Sequence, residues 1–205
     1  MHPEERLRAA LNEAPRIAAH GPWYRYLDSA ALQGPPPGAP AGAPPTPLWA
    51  GGPLRLGGRF TPPGAFEALY LATDTITAQL EAEALFLDSM GMPVPVLIPP
   101  MTGYSTHGII VDVLDLTDRA IQANLGTSLQ ELTGNWEISQ TRGEVAPTQL
   151  LGRVAYESAR FSGLLAVSAK NPAAGRVLVV FPGRLAEPSH IEMYDPSGRL
   201  AQRLP

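Results

Sequence analysis

The sequence predicts an α+β protein with a mixed, largely antiparallel sheet and flanking helices. Some segments place apolar residues at helical spacing, and others are short runs rich in β-branched or aromatic residues. The two kinds of segment do not alternate as they would in a regular βαβ series. The chain has 205 residues, which is enough for one domain with its own core, so we expect a single domain over residues 1–205.

The N-terminal segment, residues 1–21, predicts a helix. Residues 3–20 place Leu7, Ala10, Leu11 and Ala14 on one helical face, and Pro15 is expected to end or bend the helix. A Gly-Pro pair then precedes a short predicted strand at residues 23–27, WYRYL.

Residues 33–47 consist mainly of Pro, Gly and Ala. Proline excludes a regular helix or a central strand, and the segment has few large side chains to bury. We therefore expect an exposed, polyproline-like loop within the domain.

The most informative stretch is residues 57–84. Arg59 follows two glycines, and a Thr-Pro-Pro-Gly turn precedes a short strand at residues 68–72. Asp74 and its Thr neighbours offer N-cap oxygens for a helix over residues 76–87. Glu81 lies beside Leu80 and Ala84 on that helix, so its carboxylate should face a polar cleft or a partner charge.

The second half supplies further strands and helices. Residues 92–100 suit a strand edge or a connection, and residues 107–116, HGIIVDVLDL, predict a strand. Residues 115–118 should cap a short helix that runs to about residue 125, and we expect residues 128–132 to extend this helical region past Gly126.

The C-terminal third predicts one helix and several strands. The segments are a helix at 148–160, a strand ending at Ser168 within 161–168, an interior strand at 176–181 and a hairpin at 191–204 around an Asp-Pro-Ser-Gly turn.

Composition argues against several classes of function. The net charge of −4 gives no electrostatic reason to expect direct nucleic-acid binding. The sequence has no cysteine, and its four histidines show no metal-ligand spacing, so we expect no metal. It has no apolar run of membrane-spanning length and no signal-peptide pattern, which favours a cytoplasmic protein with no membrane partner. Neither familiar phosphate-loop spacing is present, so dinucleotide binding would not use a Rossmann unit.

The ordered motifs resemble those of the RES domain family, the toxin half of bacterial RES–Xre toxin–antitoxin pairs. The resemblance runs from about residue 23 to 185. Its first half consists of Gly57-Gly58-Arg59-Phe60, Pro62-Pro63-Gly64, Leu69-Tyr70-Leu71 and Glu81. Its second half consists of Leu114-Asp115-Leu116, Thr148-Gln149-Leu150-Leu151-Gly152, Gly163-Leu164-Leu165-Ala166-Val167-Ser168-Ala169 and Val177-Leu178-Val179-Val180-Phe181.

The resemblance implies an ADP-ribosyltransferase-like fold and an NAD+-consuming toxin. Such a toxin cleaves the nicotinamide–ribose bond and passes ADP-ribose to phosphate or water. Two alternatives stay open: a protein ADP-ribosyltransferase toxin with a protein acceptor, and a non-catalytic nucleotide- or partner-binding module of the same fold. A cognate Xre-type antitoxin is the implied partner, and both a homo-oligomer and a hetero-oligomer with the antitoxin stay open.

The resemblance also assigns roles to residues. Glu81 is the expected catalytic carboxylate, which would stabilise positive charge on the ribose, and Glu83 is its rival. Arg59 is expected to be catalytic and to clamp the pyrophosphate or the acceptor phosphate, together with Arg25; Arg55 could take either arginine's place.

Three further residues are expected to bind NAD+. Tyr70 would stack on nicotinamide or adenine, and Tyr26 would line the same cleft. Ser168 would hydrogen-bond to nicotinamide or ribose, and it is not expected to be a nucleophile, because no His–Asp arrangement is visible near it.

Overall fold

The computed structural model describes residues 1–40, 42–86, 92 and 98–205. The predicted end of the fourth helix at residue 87 and most of the predicted connection at residues 92–100 lie outside these residues.

Helices and strands alternate irregularly along the described chain. The helices are α1 Glu4–Glu13, α2 Ser29–Gln33, α3 Gly51–Leu56, α4 Thr75–Glu83, α5 Arg119–Asn124, α6 Leu129–Leu132, α7 Trp136–Thr141 and α8 Pro147–Glu157. The strands are β1 Ile17–His20, β2 Trp23–Asp28, β3 Leu69–Ala72, β4 Met101–Asp115, β5 Gly163–Val167, β6 Arg176–Val180, β7 His190–Met193 and β8 Gln202–Leu204. None of the helices in the described ranges is long and apolar enough to cross a membrane.

The strands of the described residues form one sheet centred on β4. The 15-residue strand β4 pairs with β1, β2 and β7 in antiparallel fashion and with β5 in parallel. The sheet order is β2-β3-β6-β5-β4-β7-β8, and the extra β2–β4 pairing joins five of these strands into a closed ring. The predicted α+β class with a mixed, largely antiparallel sheet and flanking helices is therefore confirmed.

Apolar side chains are buried on both faces of the sheet. Along β6, Val177 and Val179 point into a cluster shared with α1 and α8, whereas Leu178 and Val180 point into a second cluster with Trp23. Successive side chains of a strand face opposite sides, so a strand buried on both faces reads as an unbroken apolar run. The predicted interior strand is thus confirmed.

The predicted N-terminal helix forms over Glu4–Glu13 and ends before Pro15, one of the two outcomes expected there, so its assignment to residues 14–21 is wrong. The helix α1 ends at Glu13, and Ile17–His20 is the strand β1. Ala14 has extended backbone angles, as expected for a residue that precedes proline. Ile17 then pairs with Val113 of β4, so the chain after Pro15 continues as a strand.

Other differences concern the extent and number of elements. The strand β4 begins at Met101, six residues before its predicted start at His107, and the sequence did not predict α2, α3 or α7. The helices after Asp118 and Pro147 and the C-terminal hairpin agree with prediction. The loop predicted for residues 33–47 differs at both ends, because Gln33 ends α2 and Pro47 is buried; the described residues between them contain no helix or strand.

Candidate active site

A tight turn presents Arg59. The backbone N–H of Gly58 donates to Thr61 O at 2.8 Å, and Thr61 N–H donates back to Gly58 O at 3.1 Å. Gly57, which enters the turn, has a φ of 83°, a conformation that glycine adopts without steric cost. Arg59 therefore occupies a turn whose two ends are hydrogen-bonded to each other.

Tyr70 of β3 contacts this turn through its hydroxyl group. Its hydroxyl oxygen accepts from Phe60 N–H at 3.0 Å and lies 3.1 Å from Thr61 Oγ1. Burial raises the pKa of the Tyr70 phenol, although its bonds to Thr61 and Phe60 oppose the rise. Tyr70 as a whole is only partly buried, but its hydroxyl is engaged by the protein.

The helix α8 packs closely against the same turn. A Cβ atom placed on Gly152 would lie only 1.8 Å from Phe60 O, so no larger residue fits there without displacing backbone. The absence of a side chain at Gly152 is thus what lets the helix approach the turn.

The helix α4 carries Glu81. Asp74 caps the helix, because its carboxylate accepts from Thr77 N–H at 2.8 Å and from Thr77 Oγ1 at 2.6 Å. Burial alone would raise the Asp74 pKa, but these hydrogen bonds outweigh it and the pKa is lowered. Thr77, Ala78 and Ala82 are buried, and Glu81 is half-buried beside them.

Ser168 lies immediately after β5 and is fully buried. Its Oγ accepts from Lys170 N–H at 3.2 Å and Asn171 N–H at 2.9 Å. These two bonds occupy the acceptor positions of the hydroxyl, which has one proton to donate. The hydroxyl donates this proton in a hydrogen bond to Glu81 Oε1, with an oxygen–oxygen distance of 2.6 Å.

Arg59, Glu81 and Ser168 therefore meet in one cluster. Arg59 Nη2 lies 3.3 Å and 3.4 Å from the two carboxylate oxygens of Glu81, and Nη1 donates to Val167 O at 3.2 Å. Arg59 is 8% exposed and Glu81 is 27% exposed. In this cluster the Glu81 carboxylate is fixed by hydrogen bonds from Arg59 and Ser168 and is still partly exposed to solvent.

Arg25 and Tyr26 are consecutive residues of the strand β2. Arg25 Nη1 donates to the carbonyl oxygens of Pro47 and Trp49, at 3.3 Å and 3.2 Å. Tyr26, on the opposite face of the strand, lines a pocket with Gln79, Ala82, Glu83 and Met101. In the described structure, Arg25 therefore anchors the end of the Pro-rich loop, and Tyr26 lies beside α4 near Glu83.

The rival residues at the candidate site point outward. Glu83 is exposed and accepts from Gln79 Nε2 at 2.6 Å, and Arg55 is exposed on α3. Arg59 and Glu81, 22 residues apart in the chain, contact each other. This contact distinguishes Arg59 from Arg55 and Glu81 from Glu83.

Two supporting residues were not singled out from the sequence. Asn171 donates from Nδ2 to Thr77 Oγ1 at 3.0 Å and so joins the loop after β5 to α4. Gln149 donates from Nε2 to Gly58 O at 3.2 Å. The sequence signal for Gln149 was its position in the Thr148-Gln149 motif, but nothing in the motif indicated its partner. Within the described part of the chain, no group of three or more His, Cys, Asp and Glu side chains is placed to hold a metal ion.

Comparison with known proteins places the chain in a family. The family model described as "RES domain" matches residues 16–202. A solved structure of the M. tuberculosis MbcT–MbcA toxin–antitoxin complex contains a chain with a TM-score of 0.63 and 21% identity, and the match covers 93% of this chain and 90% of that one. A search of curated proteins gives no match. Since the family model spans most of the sequence, this protein belongs to the RES domain family.

Proposed function

We propose that this protein is a toxin that consumes NAD+ by cleaving its nicotinamide–ribose bond and passing ADP-ribose to phosphate or water. The observation that carries the proposal is the Glu81 carboxylate, held by Arg59 and Ser168 and exposed along one side. Membership of the RES domain family and the fold shared with a chain of a toxin–antitoxin complex support it.

The chemistry of the bond fits this set of side chains. When the C–N bond breaks, its electron pair goes to the cationic nicotinamide ring, which leaves as a neutral molecule. The leaving group therefore needs no proton, and the main demand is to stabilise the oxocarbenium-like ribose. A carboxylate with a fixed orientation stabilises that charge without reorganising during the reaction.

The acceptor then completes the reaction. A phosphate oxygen that bonds to the ribose carbon gives ADP-ribose phosphate, and water gives ADP-ribose with release of a proton. Arg59 is suited to the phosphate of either the substrate or the acceptor, because a guanidinium binds phosphate oxygens through several donors.

An Xre-type antitoxin is the proposed partner. The support is the fold similarity to a chain that was solved with its antitoxin, together with family membership. Addition of such a protein should suppress nicotinamide release, which tests the pairing directly.

The test of the reaction is incubation of the purified protein with NAD+, with and without inorganic phosphate, and separation of the products by chromatography. Nicotinamide that appears faster with phosphate, together with ADP-ribose phosphate, would identify a phosphorylase, and nicotinamide with ADP-ribose regardless of phosphate would identify a hydrolase. Absence of nicotinamide under both conditions would refute the proposed reaction. NAD+ binding without turnover would then favour a binding module, and transfer of labelled ADP-ribose to a lysate protein would favour a protein ADP-ribosyltransferase.

A further inference from the structure

The helix α8 contacts the backbone on both sides of Arg59. Gln149 Nε2 donates to Gly58 O at 3.2 Å, and Gly152 lies against Phe60 O. Residues three apart on a helix share a face, so one face of α8 meets the carbonyls that precede and follow Arg59. Gly58 O also accepts from Thr61 N–H, so both of its lone pairs are used.

Gln149 belongs to a short relay of amide groups. Its Nε2 also donates to Gln140 Oε1 at 2.8 Å, and Gln140 Nε2 donates to Leu56 O at 3.0 Å. The relay therefore reaches the carbonyls of Leu56 and Gly58, on either side of Gly57. A Cβ atom on Gly57 would lie 2.2 Å from Gln140 Oε1, so the relay also fills the space beside this glycine.

The Gln149 side chain is almost fully buried and fully hydrogen-bonded. It is 1% exposed, and its Oε1 accepts from Ala146 N–H at 3.2 Å, which satisfies a free N–H at the start of α8. A buried amide costs free energy unless all its groups are paired, and each group of this one is paired with the turn, with Gln140 or with the helix start. Its orientation is thereby fixed, and so is the carbonyl that it holds.

We propose that Gln149, with Gln140, is a positioning residue that holds the Gly57–Gly58 backbone so that Arg59 meets Glu81. Its effect on catalysis rests on the proposed function, whereas its effect on the turn does not. Small displacements of a catalytic group cost large factors in rate, so loss of this clamp should reach the reaction although Gln149 touches no substrate.

The test compares Gln149→Met with Gln122→Met. Methionine keeps the length of the side chain and removes its donors. Gln122 is a matched control, because it is also buried on a helix and donates to a backbone carbonyl, Leu116 O at 2.8 Å. Gln149→Met should lose more stability than Gln122→Met, because it loses three side-chain hydrogen bonds rather than one, so both variants are compared under conditions in which each is folded.

Two measurements distinguish a specific effect of Gln149 on the turn from a general loss of stability. Amide hydrogen exchange at Gly58 and Thr61, whose N–H groups close the turn, should accelerate about tenfold in Gln149→Met and match wild type in Gln122→Met. The kcat for NAD+ consumption should fall about 100-fold in Gln149→Met and stay near wild type in Gln122→Met.

Equal exchange and equal kcat in the two variants would overturn the inference. If wild type consumes no NAD+, the proposed function fails, and exchange at Gly58 and Thr61 alone decides whether the clamp exists. If Gln149→Met does not fold, Gln140→Met at its half-buried position removes the outer part of the relay. That variant should raise exchange at the same two amides, and wild-type exchange there would refute the clamp.

Discussion

The hydrogen bond between Ser168 and Glu81 gives a quantitative test of the site that does not depend on activity. The hydroxyl of Ser168 donates to the carboxylate at 2.6 Å, and Ser168 is fully buried. Hydrogen bonds to charged groups contribute about 1.5–3 kcal/mol to stability. Ser168→Ala also removes the acceptor for two backbone N–H groups, so the free energy of unfolding should fall by about 2–4 kcal/mol.

A double-mutant cycle isolates the Ser168–Glu81 contact from these other losses. Urea unfolding of wild type, Ser168→Ala, Glu81→Ala and the double variant should give a coupling energy of about 1–3 kcal/mol. The control cycle uses Ser162→Ala, because Ser162 is a buried serine at the opposite end of β5 that donates to Arg184 O at 3.1 Å. Ser162 is roughly 20 Å from Ser168 along the strand, so its cycle with Glu81→Ala should be additive.

The outcome that refutes this reasoning is a Ser168–Glu81 coupling below about 0.5 kcal/mol, the range in which distant residues add. The two side chains would then not share a hydrogen bond in solution, and the fixed orientation of Glu81 would lose one of its two supports.

Two further predictions concern the helices around the site. Ion pairs join Arg8 and Arg153 to Glu4 and Glu157, between α1 and α8. The hydrogen bonds from Arg8, and to a smaller extent those from Arg153, lower the pKa of both carboxyl groups from the ordinary value of 4.5. This stabilisation is present above pH 4.5 and is lost as the pH falls through the folded pKa values. The Tm of the double variant Glu4→Gln/Glu157→Gln should therefore fall less steeply with decreasing pH than the Tm of wild type or of the exposed control Glu13→Gln. Identical slopes of Tm against pH would contradict this prediction. Gly152→Ala should lower the free energy of unfolding by about 3 kcal/mol or more, since its Cβ would meet Phe60 O at 1.8 Å. Gly52→Ala, whose Cβ would lie 3.8 Å from the Trp49 ring, should change stability by less than about 1 kcal/mol, and a similarly mild Gly152→Ala would refute the close packing of α8.

The sequence predicted those features that depend on local chemistry. Asp74 marked the start of α4 because its side chain can cap a helix, and the apolar run of β6 marked a strand buried on both faces. The turn at Arg59 was visible in its glycines and prolines. Each of these patterns involves residues close together in the chain.

Features that depend on distant partners were not predictable in the same way. Ile17–His20 was included in the predicted N-terminal helix but pairs with β4, about 90 residues later, and the pairing decides its structure. The contact of Ser168 with Glu81 spans 87 residues, and that of Gln149 with Gly58 spans 91. Arg25 was expected to help Arg59 clamp a phosphate, which stays a prediction. Its guanidinium donates to the carbonyls of Pro47 and Trp49, contacts that no short motif encodes.

The most direct test of the central claim is the rate of nicotinamide release from NAD+ by wild type, Glu81→Gln and Glu83→Gln. The two variants remove one negative charge each from the same helix, but Glu81 faces Arg59 and Ser168 whereas Glu83 is exposed and accepts from Gln79. We predict that Glu81→Gln lowers kcat by about 100-fold or more and that Glu83→Gln remains within about twofold of wild type. Equal rates for the two variants, or full activity of Glu81→Gln, would contradict the role proposed for Glu81.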